Sequence, residues 1–190
     1  WVNQKAMQLS GLDVSINPPE GGDIINNCIL IDNAMAQVQF IIPKPGESAI
    51  EKWIKLALDI IIPRGITNVH DAWQDPTTIK VLQKMAEKGE LPIRVYGMLG
   101  SSYPKLLRQF FNAGHYQSGN YTIRSAKAFI DGALGSSGAA LLEPYSDDQN
   151  NCGLILISNK EFKDLARRCR DAGFQLCTHA IGDRGNRIVL

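Results

Sequence analysis

Lys127 stands inside an otherwise uncharged, strand-like run, Ser125-Ala126-Lys127-Ala128-Phe129-Ile130, which ends at Asp131-Gly132. Lysine is almost never fully buried unless its charge is paired or removed, so this one marks either a sheet edge or a site of chemistry. A neutral lysine can act as a base, form a Schiff base, or take up carbon dioxide as an anionic carbamate. Two further runs end in polar groups, Val69-His70-Asp71 and Thr178-His179-Ala180-Ile181-Gly182-Asp183. In parallel α/β folds the carboxyl ends of strands point toward the common ligand face. Side-chain alternation puts Lys127, Phe129 and Asp131 on one side of their strand, and Gln175, Cys177 and His179 on one side of theirs. A lysine and an imidazole, the commonest metal ligand among side chains, can thus face one interior. Metal-assisted hydrolysis, a Schiff-base lyase and a noncatalytic α/β module all fit these residues, which alone leave the choice open.

The remaining polar residues each carry a plainer alternative. Asp183 could support a ligand, contact substrate, or cap a last helix beginning near Arg184. His70-Asp71 could orient a substrate or fix a strand-helix turn. His115 falls in an expected exposed loop and receives no role. Arg184 and Arg187 read as solvated helix-face residues. The loop Asp131-Gly132-Ala133-Leu134-Gly135-Ser136-Ser137-Gly138 matches neither glycine-rich phosphate motif, so it reads as a tight turn shaping the rim.

The elements that must hold these groups follow a regular rhythm. A helix over about 49–62 places Ile50, Trp53, Ile54, Ala57 and Ile61 at helical spacing and stops at Pro63-Arg64-Gly65. A strand follows over 66–70. Asp75-Pro76 reads as an N-cap with proline at the first helical position, with Ile79, Leu82, Met85 and Ala86 inward and Gly89 as the stop. A strand over 93–99, a helix over 102–113 and a strand over 121–130 come next. Ser158-Asn159-Lys160-Glu161 has capping-box spacing and opens a helix whose stripe is Phe162, Leu165, Ala166 and Cys169, before a strand over 174–179. Strands alternating with amphipathic helices predict an α/β fold with a parallel sheet. Four such strands are half of an eight-stranded (β/α)8 barrel, the TIM type. Residues 1–48 break the rhythm between two Pro/Gly clusters and read as an inserted or appended segment that covers the site, leaving 49–190 as the partial barrel.

Composition narrows the class of partner. The 190 residues are 44% hydrophobic and 21% charged with a formal net charge of +1, which gives no electrostatic footprint for nucleic acid or an acidic membrane. No apolar run approaches the ~18 residues of a membrane span, and Trp1-Val2-Asn3-Gln4-Lys5 lacks a signal-peptide pattern. Cys28, Cys152, Cys169 and Cys177 form no C-x-x-C pair and read as small hydrophobes, so a reducing, cytoplasmic compartment is expected.

Taken as a set, Gly65-Ile66-Thr67-Asn68-Val69-His70-Asp71-Ala72, Lys127-Ala128-Phe129-Ile130-Asp131-Gly132-Ala133-Leu134-Gly135, Pro144-Tyr145-Ser146-Asp147 and His179-Ala180-Ile181-Gly182-Asp183-Arg184-Gly185-Asn186 resemble the amidohydrolase superfamily, with N-substituted formamide deformylase-like enzymes as the nearest branch. The resemblance implies a (β/α)8 barrel with one or two divalent metals, zinc being expected, and hydrolysis of an amide or related C–N bond in a small molecule. By resemblance, Lys127 is a metal ligand in carbamylated form and His179 a metal ligand, while Asp131, Asp183 and His70 are candidate catalytic residues at the rim. The family's His-x-His pair, a further histidine and a terminal aspartate have no counterpart here. The expectation is therefore an interior portion of a longer enzyme, inactive alone and, with unpaired strand edges, prone to self-association.

Overall fold

The computed structural model describes residues 1–12, 17–26 and 28–190. They divide into two compact units, one formed by 45–128 with 164–177 and the other by 1–44, 129–163 and 178–190. In chain order the elements are α1 (Gln4–Leu9), β1 (Gly22–Ile25), β2 (Ile29–Asp32), α2 (Met35–Gln39), α3 (Glu47–Ile61), β3 (Asn68–Gln74), α4 (Pro76–Glu87), β4 (Arg94–Gly100), α5 (Pro104–Ala113), β5 (Tyr116–Ser118), β6 (Tyr121–Phe129), α6 (Asn159–Asp171), β7 (Gln175–His179) and α7 (Asp183–Val189).

The unit of 45–128 and 164–177 carries a five-stranded sheet ordered β3-β4-β6-β5, with β7 also paired to β6. The β3/β4 and β4/β6 pairs are parallel, as helical crossovers require, and only the short β5 runs antiparallel to β6. Alternation along β4 and, with a change of phase at the register shift after Ile123, along β6 buries Val95, Leu99, Ile123, Ala126 and Ala128 in one core with Ile79, Leu82 and Met85 of α4, Leu107 and Phe110 of α5, and Leu165 and Cys169 of α6. Each large side chain so buried is worth ~1.5–3 kcal/mol of transfer free energy. Asp75 caps α4 as expected, accepting from Thr77 N at 2.8 Å and Thr78 N at 3.2 Å, with Pro76 in the first turn. Such a cap contributes ~1 kcal/mol.

Three local expectations are revised. The buried stripe of α3 is Ile50, Ile54, Leu58 and Ile61, a spacing that turns Trp53 outward to 56% exposure; Ala57 faces outward too. The first strand begins at Asn68 and extends to Gln74 through a register shift after Asp71, where Trp73 adopts φ 154°. β5 is three residues long, too short for any periodicity to announce it.

Helix α3 also starts earlier than its apolar pattern, because Glu47 meets Lys80 and Lys84 of α4 at 2.6 Å each. Hydrogen bonds from these two lysines hold the Glu47 carboxyl well down, at about 2. A carboxyl depressed in the folded state stabilises above its unfolded value and loses that contribution as pH falls through the folded one. In urea titrations, Glu47→Gln should therefore be less stable than wild type above about pH 4.5, the two converging as pH falls to about 2.

The second unit has its own small core of Met7, Leu12, Leu30, Ala34 and Val38, built from α1, the antiparallel β1-β2 hairpin and α2. The capping box forms as read: Ser158 Oγ donates to Glu161 Oε2 at 2.6 Å, and Glu161 N donates to Ser158 Oγ at 3.3 Å. Among the described residues, no helix is long and apolar enough to cross a membrane.

Candidate active site

Asp131 leaves β6 as a wholly buried acid, 0% exposed. Burying a carboxylate is costly unless donors surround it. Here Oδ1 accepts from Ile181 N at 3.0 Å, and Oδ2 accepts from Ala140 N at 3.0 Å and Gly182 N at 2.7 Å. The peptides of Ile181 and Gly182 directly follow β7, so the carboxylate gathers the turn that carries His179. His179 Nε2 lies 3.9 Å from Asp131 Oδ1, and its ring stands 5.1 Å from that of Phe129. The backbone completes the arrangement, with Ile130 N donating to His179 O at 2.9 Å.

Asp183 opens α7 one residue after the N-cap position, which Gly182 occupies. Its Oδ1 accepts from Leu142 N at 2.9 Å and from Arg184 N at 2.8 Å, so the side chain ties the loop at 142 to the first turn of the helix. An open groove of about 550 Å³ runs beside it, lined by Ile181, Asp183, Asn186, Arg187 and Leu190.

Asp32 belongs to this unit although no motif pointed to it. It ends β2 at φ 47°, and its Oδ2 is buried without a hydrogen-bond partner among the described residues. Burial and then the neighbouring Asp131 push its carboxyl up, against an opposing pull from His179. Gly132 makes room for it, since a Cβ there would stand 2.3 Å from Oδ2. The glycine-rich loop expected as a rim turn thus accommodates a protein carboxylate. Aspartate tolerates positive φ, but nothing in the Ile31-Asp32-Asn33 sequence distinguishes it from an ordinary turn residue.

In the sheet unit, Lys127 is half-buried near the end of β6, opposite Gly100 of β4. Burial pushes its ammonium below the usual lysine range, partly offset by Cys177. His70 is exposed on β3, its ring 5.1 Å from that of Tyr96. Asp71 turns the other way and accepts from Gln74 Nε2 at 2.8 Å, while the buried Tyr121 hydroxyl donates to Gln74 Oε1. Burial pushes the Asp71 carboxyl up, with Asp75 adding to the shift and Gln74 opposing it. This polar chain was invisible in sequence because Tyr121 lies 47 residues from Gln74. His115, given no role, packs edge-on against Phe174 at 4.9 Å and meets Gly173 O at 2.9 Å. All four cysteines are free; Cys169 is buried, which pushes its thiol up to about 11, while the other three, Cys177 included, are half-buried.

Among the described residues no three His, Cys, Asp or Glu side chains form a cluster able to hold a metal ion. The imidazole of His179 and the partnerless oxygen of Asp32 are donor types that suit a divalent cation, so the residues fit part of a ligand shell.

The turn after β7 makes a sharp demand on one glycine. A Cβ on Gly182 would stand 1.8 Å from the carbonyl oxygen of Ala140, a backbone atom with little freedom to retreat. Gly182→Ala should cost about 3 kcal/mol in urea unfolding, and an unchanged midpoint would mean that the Ala140 carbonyl gives way freely.

A family model described as "Amidohydrolase family" matches residues 1–188. The Bacillus subtilis protein YtcJ, whose name describes an amidohydrolase, is 27% identical over 201 residues, covering 100% of this chain and 37% of its own. Protein LONG AFTER FAR-RED 3 of Arabidopsis thaliana is 25% identical over 207 residues, covering 100% of this chain and 35% of its own. The chain thus spans little more than a third of the length of these curated relatives. Among solved structures, an uncharacterized metal-dependent hydrolase from Pyrococcus horikoshii superposes with a TM-score of 0.74 at 23% identity, covering 98% of this chain and 38% of that one. One from Pyrococcus furiosus gives 0.72 at 22% identity, over 98% and 39%. These two likenesses bear on the fold.

Proposed function

We propose, since the chain belongs to the amidohydrolase family, that the full-length protein hydrolyses an amide or other non-peptide C–N bond of a small molecule with the help of a divalent metal. The observation that carries the reading is the imidazole of His179, presented at the end of β7 beside a buried carboxylate anchored by three peptide N–H groups. His179 is the proposed ligand in its unit. Lys127 is proposed separately as a ligand in carbamylated form, because burial already disfavours its ammonium. When bound, the metal would polarise the scissile carbonyl and supply hydroxide near neutral pH. Zinc suits imidazole and carboxylate-type donors.

The parallel strands β3, β4 and β6, with β7, are taken as part of a (β/α)8 barrel, and N-substituted formamides as the substrate class. His70, exposed on β3, and Asp183, beside the groove on α7, are the proposed rim groups that contact substrate. With only part of a ligand shell, residues 1–190 alone should be inactive, and the open edge of β3 invites self-association.

The test is hydrolysis of a panel of N-substituted formamides by the purified full-length protein, before and after removal of metal by a chelator. Turnover that is lost on chelation and restored by zinc supports the reading. A folded full-length protein with neither bound metal nor hydrolysis would instead favour a noncatalytic binding module.

A further inference from the structure

We infer that Asp131 is a positioning residue for His179, an inference that rests on His179 being a site residue as proposed above. Its place in the fold leaves little room for contact with substrate, because the side chain is 0% exposed and both oxygens already accept peptide N–H groups. Nor is the link to His179 a direct hydrogen bond, since 3.9 Å is beyond hydrogen-bond range. The influence passes through the backbone. Ile181 and Gly182, two and three residues after His179, both turn their N–H groups onto the carboxylate, and Ala140 donates the third from a separate loop. A carboxylate held by three donors has one favourable position, and so has the chain that supplies them.

Two further features narrow the geometry. Helix α7 approaches so closely that a Cβ on Gly185 would stand 2.6 Å from Asp131 Oδ2, so this helix can close over the carboxylate only with glycine at 185. The His179 ring also meets that of Phe129 at 5.1 Å. The imidazole thus has an aromatic ring and a fixed carboxylate as neighbours, and a ligand or proton-transfer group needs positioning to within roughly 0.5 Å. The Asp131-Gly132 step after β6 and the His179-to-Gly185 turn, far apart in sequence, form one device.

The inference is tested in the full-length protein with two variants that disturb the clamp differently. Asp131→Asn keeps the shape but turns an amide NH2 toward peptide donors. Gly185→Ala keeps the carboxylate and crowds it. Three readouts apply: amide exchange at Ala140, Ile181 and Gly182, the His179 ring signals in histidine-labelled NMR, and affinity for zinc by chelator competition. Both variants should speed exchange at those amides about tenfold or more relative to β4, move the His179 ring signals, and weaken zinc about 10–100-fold. Ser158→Ala serves as the control, because it removes the exposed hydrogen bonds between the Ser158 hydroxyl and Glu161 in the same unit, none of which involves Asp131, Ala140, Ile181 or Gly182, and it should leave the ring signals in place. If Asp131→Asn does not fold, Gly185→Ala decides. Folded variants whose His179 signals and amide exchange match wild type would overturn the inference. Should wild type bind no zinc, the hydrolase reading falls, while the ring signals and exchange still decide the role of Asp131.

Discussion

Asp131→Ala should lower the unfolding free energy of the full-length protein by about 3–5 kcal/mol, one of the largest losses any single truncation in this chain would cause. The substitution removes the acceptor of three N–H groups, two of them in buried hydrogen bonds, and leaves a cavity behind. Each buried donor left without a partner costs about 1–3 kcal/mol, and limited relaxation of the turn keeps the sum below simple addition. Asp183→Ala offers the contrast, because the Leu142 N–H it frees lies where water reaches it and the Arg184 N–H still donates to Ala140 O, and it should cost only about 1 kcal/mol. Equilibrium urea unfolding compares the two. A loss below about 1 kcal/mol for Asp131→Ala would mean that water replaces the carboxylate and that the turn after β7 is held by something else.

His179→Ala should behave in the opposite sense, with a large effect on turnover and a small one on stability. Its side chain is 26% exposed, and its ring packs against that of Phe129. Truncation should shift the urea midpoint by no more than about 1 kcal/mol. If the imidazole holds the metal, its loss removes several kcal/mol of transition-state stabilisation, or at least about 10³-fold in kcat/KM. Retention of more than a tenth of wild-type kcat/KM would exclude His179 from the ligand shell.

How much of this was legible beforehand depended on the range of the interaction. The cap at Asp75 and the capping box at Ser158 and Glu161 rest on neighbours within four residues, the strand that carries Lys127 announces itself by its local apolar run, and all three appear within a residue or two of their expected bounds. Trp53 was misplaced because the apolar residues of α3 permit two overlapping stripes, and only packing into the core of its unit, chiefly against α4, selects the one through Leu58. The site was half legible. His179 and Asp131 could be singled out by type and position at strand ends. What could not be read was that the Asp131 side chain would turn into the interior to collect N–H groups from Ala140 and Ile181, nine and fifty residues away. Alternation along β6 predicted instead that it would share a face with Lys127, but the strand ends at Phe129 and the rule ends with it. Asp32 was lost for a related reason. Residues 1–48 carry no βα rhythm, so nothing in them suggested a carboxylate that would come near Asp131 and His179.

The most direct test of the account is the anomalous diffraction of a zinc-loaded crystal of the full-length protein, recorded at the zinc absorption edge. The account predicts an anomalous peak about 2.0–2.1 Å from a ring nitrogen of His179, with Asp131 still buried beneath the turn. A fully occupied zinc ion bound elsewhere, with the His179 imidazole left out of its coordination, would contradict it.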